Sequence, residues 1–372
     1  MPETCDVAVV GGGLVGTAVA YELVTAGVDA VLVDRADPGR ATDAGAGILS
    51  AETNRNPDDE WFAFALAAAA HYRQLVAALS DDGATDTGYD ACGLLCVALA
   101  EHEDEWFAAT AAQAMRRSPG VVAEVTPAEA SERFPPLRSV WRALYSPAAA
   151  RVDGRRMSAA LRSVAERRGL RARSGSVSGI ERRGGRVTGV RTDDGLLGCG
   201  AVVVAGGAWS ARLGDDLGVT LPVVPLKGQI VHLVLDGADS SGWPIVQPVL
   251  NHYLVAWPGG RVACGGTLEP DAGFDRAVTA QGLGELLREC LVIAPGLGLA
   301  TVAEVRVGLR PATTDGDPVL GPLPGWENAF VCTGHGTEGL LLGPLSAALV
   351  ARAVRGEHDP VLDRFGAGRF GA

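Results

Sequence analysis

The chain has 372 residues, an apolar fraction of 47% and a formal net charge of −12 at pH 7. That length favours two lobes with ample hydrophobic cores, and negative charge without any basic run argues against nucleic acid or an anionic membrane as a partner. The seven scattered cysteines are typical of reduced thiols, and we find neither a signal-peptide pattern nor about eighteen uninterrupted apolar residues, so we expect a cytoplasmic protein without metal.

A glycine-rich turn near the N-terminus has the strongest functional signal. An apolar run over 7–10 leads into Gly11, Gly13 and Gly16, which have the spacing G-x-G-x-x-G; a helical pattern and a second apolar run then end at Asp34. Such glycines allow a tight turn, close approach of the backbone to a pyrophosphate and close packing of helix on strand, and the helix N-terminus attracts phosphate. The pattern predicts a dinucleotide site in which Asp34 binds ribose hydroxyls and disfavours NADP, but it does not separate NAD from FAD.

A run of small residues follows the second strand, within 41–52. Four of them, at 44–47, are alanine or glycine. They cannot fill a core, but they would let the backbone lie flat against a ligand. A flexible loop is the alternative.

Periodicity predicts the remaining elements. Helices are expected over 61–79, 101–117, 126–133, 152–168, 279–293 and 340–355. Strands are expected over 93–100, 171–177, 179–183, 186–192, 221–235, 253–257, 261–265, 301–310 and 329–333. Asp153 is a candidate helix cap. The buried strand that begins at 200 and ends in glycines is expected beside strand 7–10 in one parallel sheet.

A second glycine loop, 334–339, repeats the strand, glycine and helix order of the N-terminus. Its backbone N–H groups could hold a second electron-rich group, such as the N1–C2=O edge of a reduced flavin.

Together these pieces resemble the D-amino-acid oxidase superfamily of FAD-dependent enzymes, with glycine oxidase and the sarcosine oxidases as the nearest members. The patches that carry the resemblance are GGGLVG with Asp34, RATDAGAGILSA, VVVAGGAWS, PLKGQ, and GLRPATTDGDPVLG followed by GHGTEGLLLGP. The resemblance implies an α/β protein of two lobes: a Rossmann-type FAD-binding domain (1–80, 145–215 and 306–372) and a smaller substrate-binding domain built on an antiparallel sheet (81–144 and 216–305).

The resemblance also implies which residues bind FAD. They are Gly11, Gly13, Leu14, Val15, Gly16, Asp34, Arg35, Ala41, Thr42, Ala46, Gly47, Ile48, Val177, Gly206, Trp209, His335, Gly336, Thr337, Glu338, Gly339, Leu340 and Leu341. FAD is expected to be bound non-covalently, because no cysteine lies beside Arg310, where covalently flavinylated sarcosine oxidases attach it.

For the substrate, the resemblance assigns Arg310 to the carboxylate, which a guanidinium binds through two parallel N–H bonds. Ser50, Tyr253, Thr337 and Glu338 are the other candidates for the pocket. The chain departs from glycine oxidase in two of these positions: Thr337 replaces a second arginine, and Tyr253 replaces a histidine. Both differences suggest a substrate other than free glycine.

The expected reaction is oxidation of an amine alpha to a carboxylate, in glycine or an N-substituted glycine. Hydride passes from Cα to flavin N5, the imine is hydrolysed, and O2 reoxidises the flavin to give H2O2. The sequence shows no convincing acid–base pair. His335 reads as a hydrogen-bonding scaffold or a base, and Lys227 as a structural residue or a contributor to oxygen activation.

Several alternatives remain open at this stage. Within the same fold they are a D-amino acid oxidase and a quinone-linked amino acid dehydrogenase. From other classes they are an NAD-dependent dehydrogenase and a non-catalytic nucleotide-binding module. The nitrogen substituent, the electron acceptor and a homo-oligomeric state are not decided by the sequence.

Overall fold

The computed structural model describes residues 3–250 and 252–371. The strands in this part of the chain are β1 (Thr4–Val10), β2 (Ala30–Asp34), β3 (Ile48–Leu49), β4 (Tyr89–Asp90), β5 (Leu94–Ala98), β6 (Ala123–Val125), β7 (Arg142–Ser146), β8 (Ala150–Val152), β9 (Arg171–Ser174), β10 (Val177–Arg183), β11 (Arg186–Thr192), β12 (Gly195–Val204), β13 (Val223–Val234), β14 (Ile245–Pro248), β15 (Tyr253–Trp257), β16 (Arg261–Gly265), β17 (Thr301–Thr313), β18 (Val319–Pro322) and β19 (Ala329–Thr333).

The α-helices of the described residues are α1 (Leu14–Thr25), α2 (Ala41–Ala44), α3 (Asp59–Asp81), α4 (Asp104–Arg117), α5 (Pro127–Arg133), α6 (Gly154–Arg167), α7 (Ser210–Leu217), α8 (Ala280–Ile293), α9 (Gly339–Val354) and α10 (Pro360–Phe365). The Asp153 cap is confirmed, because its carboxylate accepts hydrogen bonds from the backbone N–H groups of Arg155 and Arg156.

The first large sheet has a parallel centre. Strand β1 pairs in parallel with β2 on one side and with β12 on the other, as the apolar runs predict. Alternate residues of β1 face opposite cores: Val7 and Val9 pack against the helices α1, α6 and α9, and Ala8 and Val10 pack on the other face. Because the neighbouring strands run the same way, their carboxyl ends and the glycine turns that follow lie together.

The second large sheet has the order β17-β13-β16-β15-β14-β5-β7-β6. Its pairs are antiparallel except for β14 with β5, which are parallel. Strands β13 and β17 pair over almost their whole lengths, and this register sets Leu226 opposite Arg310. The long ladder therefore carries Arg310 on the second sheet.

A small third sheet, β3-β8-β4, adjoins a buried arginine. The side chain of Arg151 on β8 is 1% exposed and donates hydrogen bonds to the carbonyl of Ser241 at 2.7 Å and to the carboxylate of Asp90 at 2.6 Å. It also donates to the carbonyl of Ala256 on β15, so satisfying this buried charge fixes β8 against the second sheet.

The expected fold class is confirmed, with an FAD-binding Rossmann-type sheet beside a mostly antiparallel one. The domain limits stay a prediction. Strand β17 begins before residue 306, the expected start of the last FAD-binding segment, and it pairs with β13 of the second sheet.

One predicted strand was wrong in its extent. The pattern over 171–177 forms two strands, because Gly175 adopts a φ of +154° and the carboxylate of Asp193 accepts a hydrogen bond from the backbone N–H of Ser176 at 2.7 Å. Val177 consequently starts the next strand. Strands missed by the periodicity are short: β3, β4, β6, β7, β8, β14 and β18.

Two helical stretches, Asp59–Asp81 and Gly336–Val354, are long and apolar enough to cross a membrane by length and composition alone. Both contribute buried side chains to the core beside β1, including Phe64 and Leu342. Their apolar faces therefore have partners within the protein.

Candidate active site

One cavity of about 930 Å³ runs between the two large sheets and is lined from both. The turns after β1, β12 and β19 form one side, and β13, β15, β16, β17 and α8 contribute the other. Two helix N-termini open into it, those of α1 and α9. Such ends present unpaired N–H groups and partial positive charge to electron-rich groups.

The turn before α1 is shaped for close backbone approach. Gly11 has a φ of +109°, which glycine adopts without strain. A Cβ on Gly12 would lie 2.7 Å from the Cβ of Asp34, and Gly13 is a helix N-cap without a side-chain capping bond. The space that side chains would fill is therefore kept open beside Asp34.

Arg40 completes this end of the cavity, and the sequence reasoning missed it. Its Nη1 donates to the Asp34 carboxylate at 2.8 Å, and its Nε donates to Asp43 at 3.0 Å. The pair orients Asp34 while leaving the carboxylate at the cavity wall. Leu14 N–H donates to the hydroxyl of Thr42 at 2.9 Å, so the small-residue segment is tied to the first turn.

The second helix end comes from the C-terminal glycine loop. Residues Gly336–Glu338 form a 3-10 turn that leads into α9, and Glu338, its N-cap, makes no side-chain capping bond. This end therefore also has free N–H groups for an electron-rich edge.

Nearly all of the expected cofactor and substrate residues line this cavity. Those that do are Gly11, Gly13, Leu14, Val15, Asp34, Arg35, Ala41, Thr42, Ala46, Gly47, Ile48, Ser50, Val177, Gly206, Trp209, Tyr253, Arg310, His335, Gly336, Thr337, Glu338, Gly339 and Leu340. Gly16 lies beneath the first turn, where a Cβ would overlap the carbonyl oxygen of Gly11. Leu341 points into the hydrophobic core instead of the cavity, because α9 turns that face toward α1 and α3.

Arg310 is a cation without an ion pair among the described residues. Its Nη1 donates to the carbonyl of Thr267 at 2.9 Å, and the guanidinium packs beside the bare Cα atoms of Gly228 and Gly266. Arg310 lines the cavity, and its guanidinium has further N–H groups besides the one bound to Thr267. A guanidinium so placed can bind an incoming carboxylate.

Tyr253 adjoins Arg310, and Glu338 lines the same cavity. Burial raises the pKa of Tyr253, as does the charge of Glu338, while the charge of Arg310 and a hydrogen bond with it act in the opposite direction. Burial also raises the pKa of Glu338, against hydrogen bonds with Thr337 and Asn54 that lower it. The tyrosine hydroxyl therefore lies beside the Arg310 guanidinium, in a cavity that Glu338 also lines.

His335 fits a scaffold better than a base. Its side chain is buried, and that burial lowers its pKa to about 4. A histidine that stays neutral at such low pH is a weak proton acceptor near neutrality. The Nε2 atom has no hydrogen-bond partner among the described residues.

Lys227 and Cys332 illustrate two other expectations. Lys227 is 1% exposed, lies outside the cavity lining, and pairs with Glu269 at 3.2 Å and Asp275 at 3.3 Å. This arrangement favours the structural interpretation of Lys227.

Cys332 does line the cavity, but burial raises its thiol pKa. The reactive thiolate is therefore disfavoured, which favours non-covalent binding of the cofactor.

Ser50, which was predicted, has a hydroxyl that contacts Glu52 at 3.4 Å and Thr53 at 3.2 Å.

Several other cavity residues were not predicted from the sequence. The unpredicted lining residues that face the substrate end are Asn54, Gln247, Leu250, His252, Leu268, Glu285 and Glu289. No local motif marks them, because separate loops and α8 meet there only after folding.

The donor set fits FAD. The open turn with Asp34 and the α1 N-terminus suits an adenosine diphosphate, Val177 adjoins the expected adenine position, and the flat segment 46–48 faces the glycine loop before α9. Two helix ends facing one elongated cavity would hold the pyrophosphate and the pyrimidine edge of the flavin.

Comparison with known proteins agrees with this geometry. A family model described as FAD dependent oxidoreductase matches residues 6–353. An uncharacterised oxidoreductase of Bacillus subtilis, YurR, is 35% identical over 94% of this chain and 95% of its own length. Glycine oxidase of Pseudomonas aeruginosa is 33% identical over 96% of each chain. The crystal structure of iminodiacetate oxidase from Chelativorans sp. BNC1 superposes with a TM-score of 0.92 at 36% identity, covering 97% of this chain and 98% of that one.

Proposed function

Since this chain belongs to the family of FAD-dependent oxidoreductases, we propose that it oxidises the amine of glycine or of an N-substituted glycine. Family membership overturns an NAD-dependent dehydrogenase and a non-catalytic nucleotide-binding module as alternatives. The observation that carries the proposal is Arg310, a guanidinium that lines the cavity without an ion pair among the described residues.

The overall reaction we propose consumes water and oxygen. An N-substituted glycine, R–NH–CH2–COO⁻, reacts with O2 and H2O to give R–NH2, glyoxylate and H2O2. FAD, when bound, would supply the two-electron acceptor for the hydride from Cα, with O2 as the final oxidant. The protein residues contribute binding and orientation.

Arg310 fixes the carboxylate by a fork of two N–H donors, which sets both the position and the direction of the Cα–N bond. Tyr253 limits the motion of that guanidinium from the β15 side. Together they hold the substrate in one orientation, which is the main requirement of hydride transfer.

Glu338 faces the same space from the start of α9. Because burial raises its pKa, the carboxyl is better suited than an exposed one to accept a proton from the substrate ammonium. The amine that reacts must be neutral, since its lone pair assists departure of the hydride. Thr337 in place of a second arginine, with Glu338 as the next residue, also favours a secondary amine.

Relatives support the substrate class. The solved relatives include an iminodiacetate oxidase and a glycine oxidase, each named for an amine alpha to a carboxylate. A D-amino acid oxidase and a quinone-linked dehydrogenase of the same fold remain the competing activities.

The test is oxidation by purified, FAD-loaded protein of glycine, sarcosine, longer N-alkyl glycines and D-alanine, with oxygen uptake and peroxide both measured. We expect turnover of N-alkyl glycines with one peroxide per oxygen. Rapid turnover of D-alanine without any N-alkyl glycine would establish the D-amino acid alternative. Reduction of the flavin by substrate followed by reoxidation with a quinone but not oxygen would establish the dehydrogenase.

A further inference from the structure

We infer that the pocket selects an N-substituted glycine whose substituent ends in a cation, and that Glu285 and Glu289 determine this specificity. The inference rests on the function proposed above and names the substrate class more closely. It follows from how α8 is attached to the second sheet and from the charges that line the cavity.

Helix α8 is held in register with the strand that packs against Arg310. The amide of Gln229 on β13 donates to the hydroxyl of Thr279 at 2.9 Å and accepts from the backbone N–H of Thr279 at 3.1 Å. Thr279 caps α8, and Gln229 directly follows Gly228, against which the Arg310 guanidinium lies. These bonds fix the start of α8 relative to Arg310.

The middle of α8 is attached to the neighbouring strand. The thiol of Cys264 on β16 donates to the carbonyl of Leu286 at 3.5 Å, and Leu286 is fully buried. With Leu286 turned into the core, Glu285 and Glu289 fall one helical turn apart on the face that lines the cavity. Their carboxylates are therefore part of the pocket wall.

The two carboxylates differ in what already binds them. Glu285 contacts the ring Nε2 of His252 at 3.0 Å, a residue adjacent in sequence to Tyr253. Glu289 has neither a hydrogen bond nor an ion pair in residues 3–250 and 252–371. The carboxylate of Glu289 is therefore available to accept a hydrogen bond from a ligand in the cavity.

The charges at the substrate end are unbalanced. In the described part of the chain, Arg310 is the only lysine or arginine that the second sheet and α8 bring to the cavity wall. Glu285, Glu289 and Glu338 line the same cavity. Once Arg310 binds the α-carboxylate, a second carboxylate on the substrate would find no further lysine or arginine of the second sheet or α8 on this wall and would be repelled by the three acids, whereas a cationic substituent would be attracted.

The lining also includes two exposed leucines. Leu250 and Leu268 line the cavity with exposed fractions of 47% and 64%. Exposed leucines at a pocket mouth can cover the methylene groups of an alkyl substituent. The substituent that fits both features is a short alkyl chain with a terminal ammonium.

The same argument separates this protein from one of its solved relatives. Iminodiacetate, for which that relative is named, carries two carboxylates. We expect iminodiacetate to be a poor substrate here, because the second sheet and α8 bring no second lysine or arginine to the described cavity wall for its other carboxylate.

The test compares kcat/KM for N-(3-aminopropyl)glycine, the neutral isostere N-butylglycine, and iminodiacetate. We expect the cationic compound to exceed the neutral one about tenfold through a lower KM, and iminodiacetate to be the poorest. In the double variant Glu285→Gln with Glu289→Gln, the ratio of kcat/KM for the cationic compound to kcat/KM for the neutral compound should fall from about ten to about one. Asp271→Asn, which removes an exposed carboxylate outside the cavity lining, should change none of these ratios.

A binding measurement keeps the test independent of turnover. The ethers 3-aminopropoxyacetate and butoxyacetate lack the C–N bond that is oxidised, and their binding can be followed by the visible spectrum of the bound flavin. We expect tighter binding of the aminopropoxy compound, lost in the double variant and weakened by salt. Equal affinities of the two ethers, or equal losses for both in the variant, would overturn the inference even where N-alkyl glycines are oxidised. If no N-alkyl glycine is oxidised, the proposed function fails, and the ether titration still decides the charge preference.

Discussion

The guanidinium of Arg310 occupies the space that a side chain on Gly228 would fill. The two residues lie on the paired strands β13 and β17, and a Cβ on Gly228 would come within 2.5 Å of the Cζ of Arg310. The glycine of the K-G-Q patch is therefore explained by the space that Arg310 occupies, although neither residue is near the other in sequence.

Gly228→Ala should displace Arg310 without unfolding the protein, because the group that must move is the end of a long side chain. We expect kcat/KM for the best N-alkyl glycine to fall about 10- to 100-fold, since small misplacements of an orienting group are costly. Steady-state kinetics and thermal unfolding measure the two effects. An unchanged kcat/KM would contradict the assigned role of this contact.

Arg310→Lys tests the forked geometry separately from the charge. Lysine keeps the positive charge but cannot make two parallel hydrogen bonds, so we expect kcat/KM to fall about 100-fold while FAD stays bound. The flavin spectrum and oxidation kinetics are the measurements. Arg182→Lys, at an exposed position outside the cavity, is the matched control and should behave as the parent protein.

Gly16→Ala should yield protein that fails to retain FAD. A Cβ there would overlap the carbonyl oxygen of Gly11 and force the phosphate-binding turn away from α1. Gly284→Ala is the control, because this helical glycine has open space around it, and alanine there should be neutral or stabilising by up to about 1 kcal/mol. The ratio of flavin to protein absorbance after purification distinguishes the two variants, and equal ratios would contradict the prediction.

Lys227→Met should reduce stability far more than chemistry. Removing the buried ammonium leaves Glu269 and Asp275 without their shared partner, and we expect a lower free energy of unfolding, mainly through Glu269, the less exposed of the two carboxylates. The rate of flavin reoxidation by oxygen in the folded variant should stay within about twofold of the parent. A large fall in that rate at unchanged stability would instead support a role in oxygen activation.

His232 predicts a pH dependence of stability. Burial lowers its pKa from the ordinary value of 6.5 to about 4, assisted by the charges of Arg306 and Arg261 and opposed by that of Glu304. Between these pH values the unfolded chain binds a proton that the folded chain does not, so the histidine's contribution makes stability fall as pH drops from 6.5 toward 4.

Removing that group should reduce the slope. In His232→Leu, the free energy of unfolding should lose about 1.4 kcal/mol less per pH unit across this interval. Denaturant unfolding at several pH values provides the measurement. His102→Leu, at an exposed position, should retain the parent slope, and a His232 variant that also retains it would show that His232 does not titrate as described.

The cofactor half of the site could be read largely from the sequence. The glycine turn, Asp34, the strand that pairs with β1 and the loop before α9 are confirmed in their expected structures. These features are local: a positive φ demands glycine, a buried parallel strand demands an apolar run, and a helix start follows both within a few residues. Arg310 was predicted because the family resemblance includes the residues around it, and it does line the cavity.

The substrate half depends on contacts between distant segments. Strand β5 pairs in parallel with β14, about 150 residues later in the chain, and α8 reaches the pocket through Gln229 and Cys264. Neither Glu285 nor Glu289 belongs to a motif, and the turn of α9 that points Leu341 into the core is decided by packing against α1 and α3. The nucleotide turn depends on the backbone conformations of neighbouring residues, so the sequence alone determined it. The side chains that share a pocket are brought together by long-range packing, which only the tertiary structure decides.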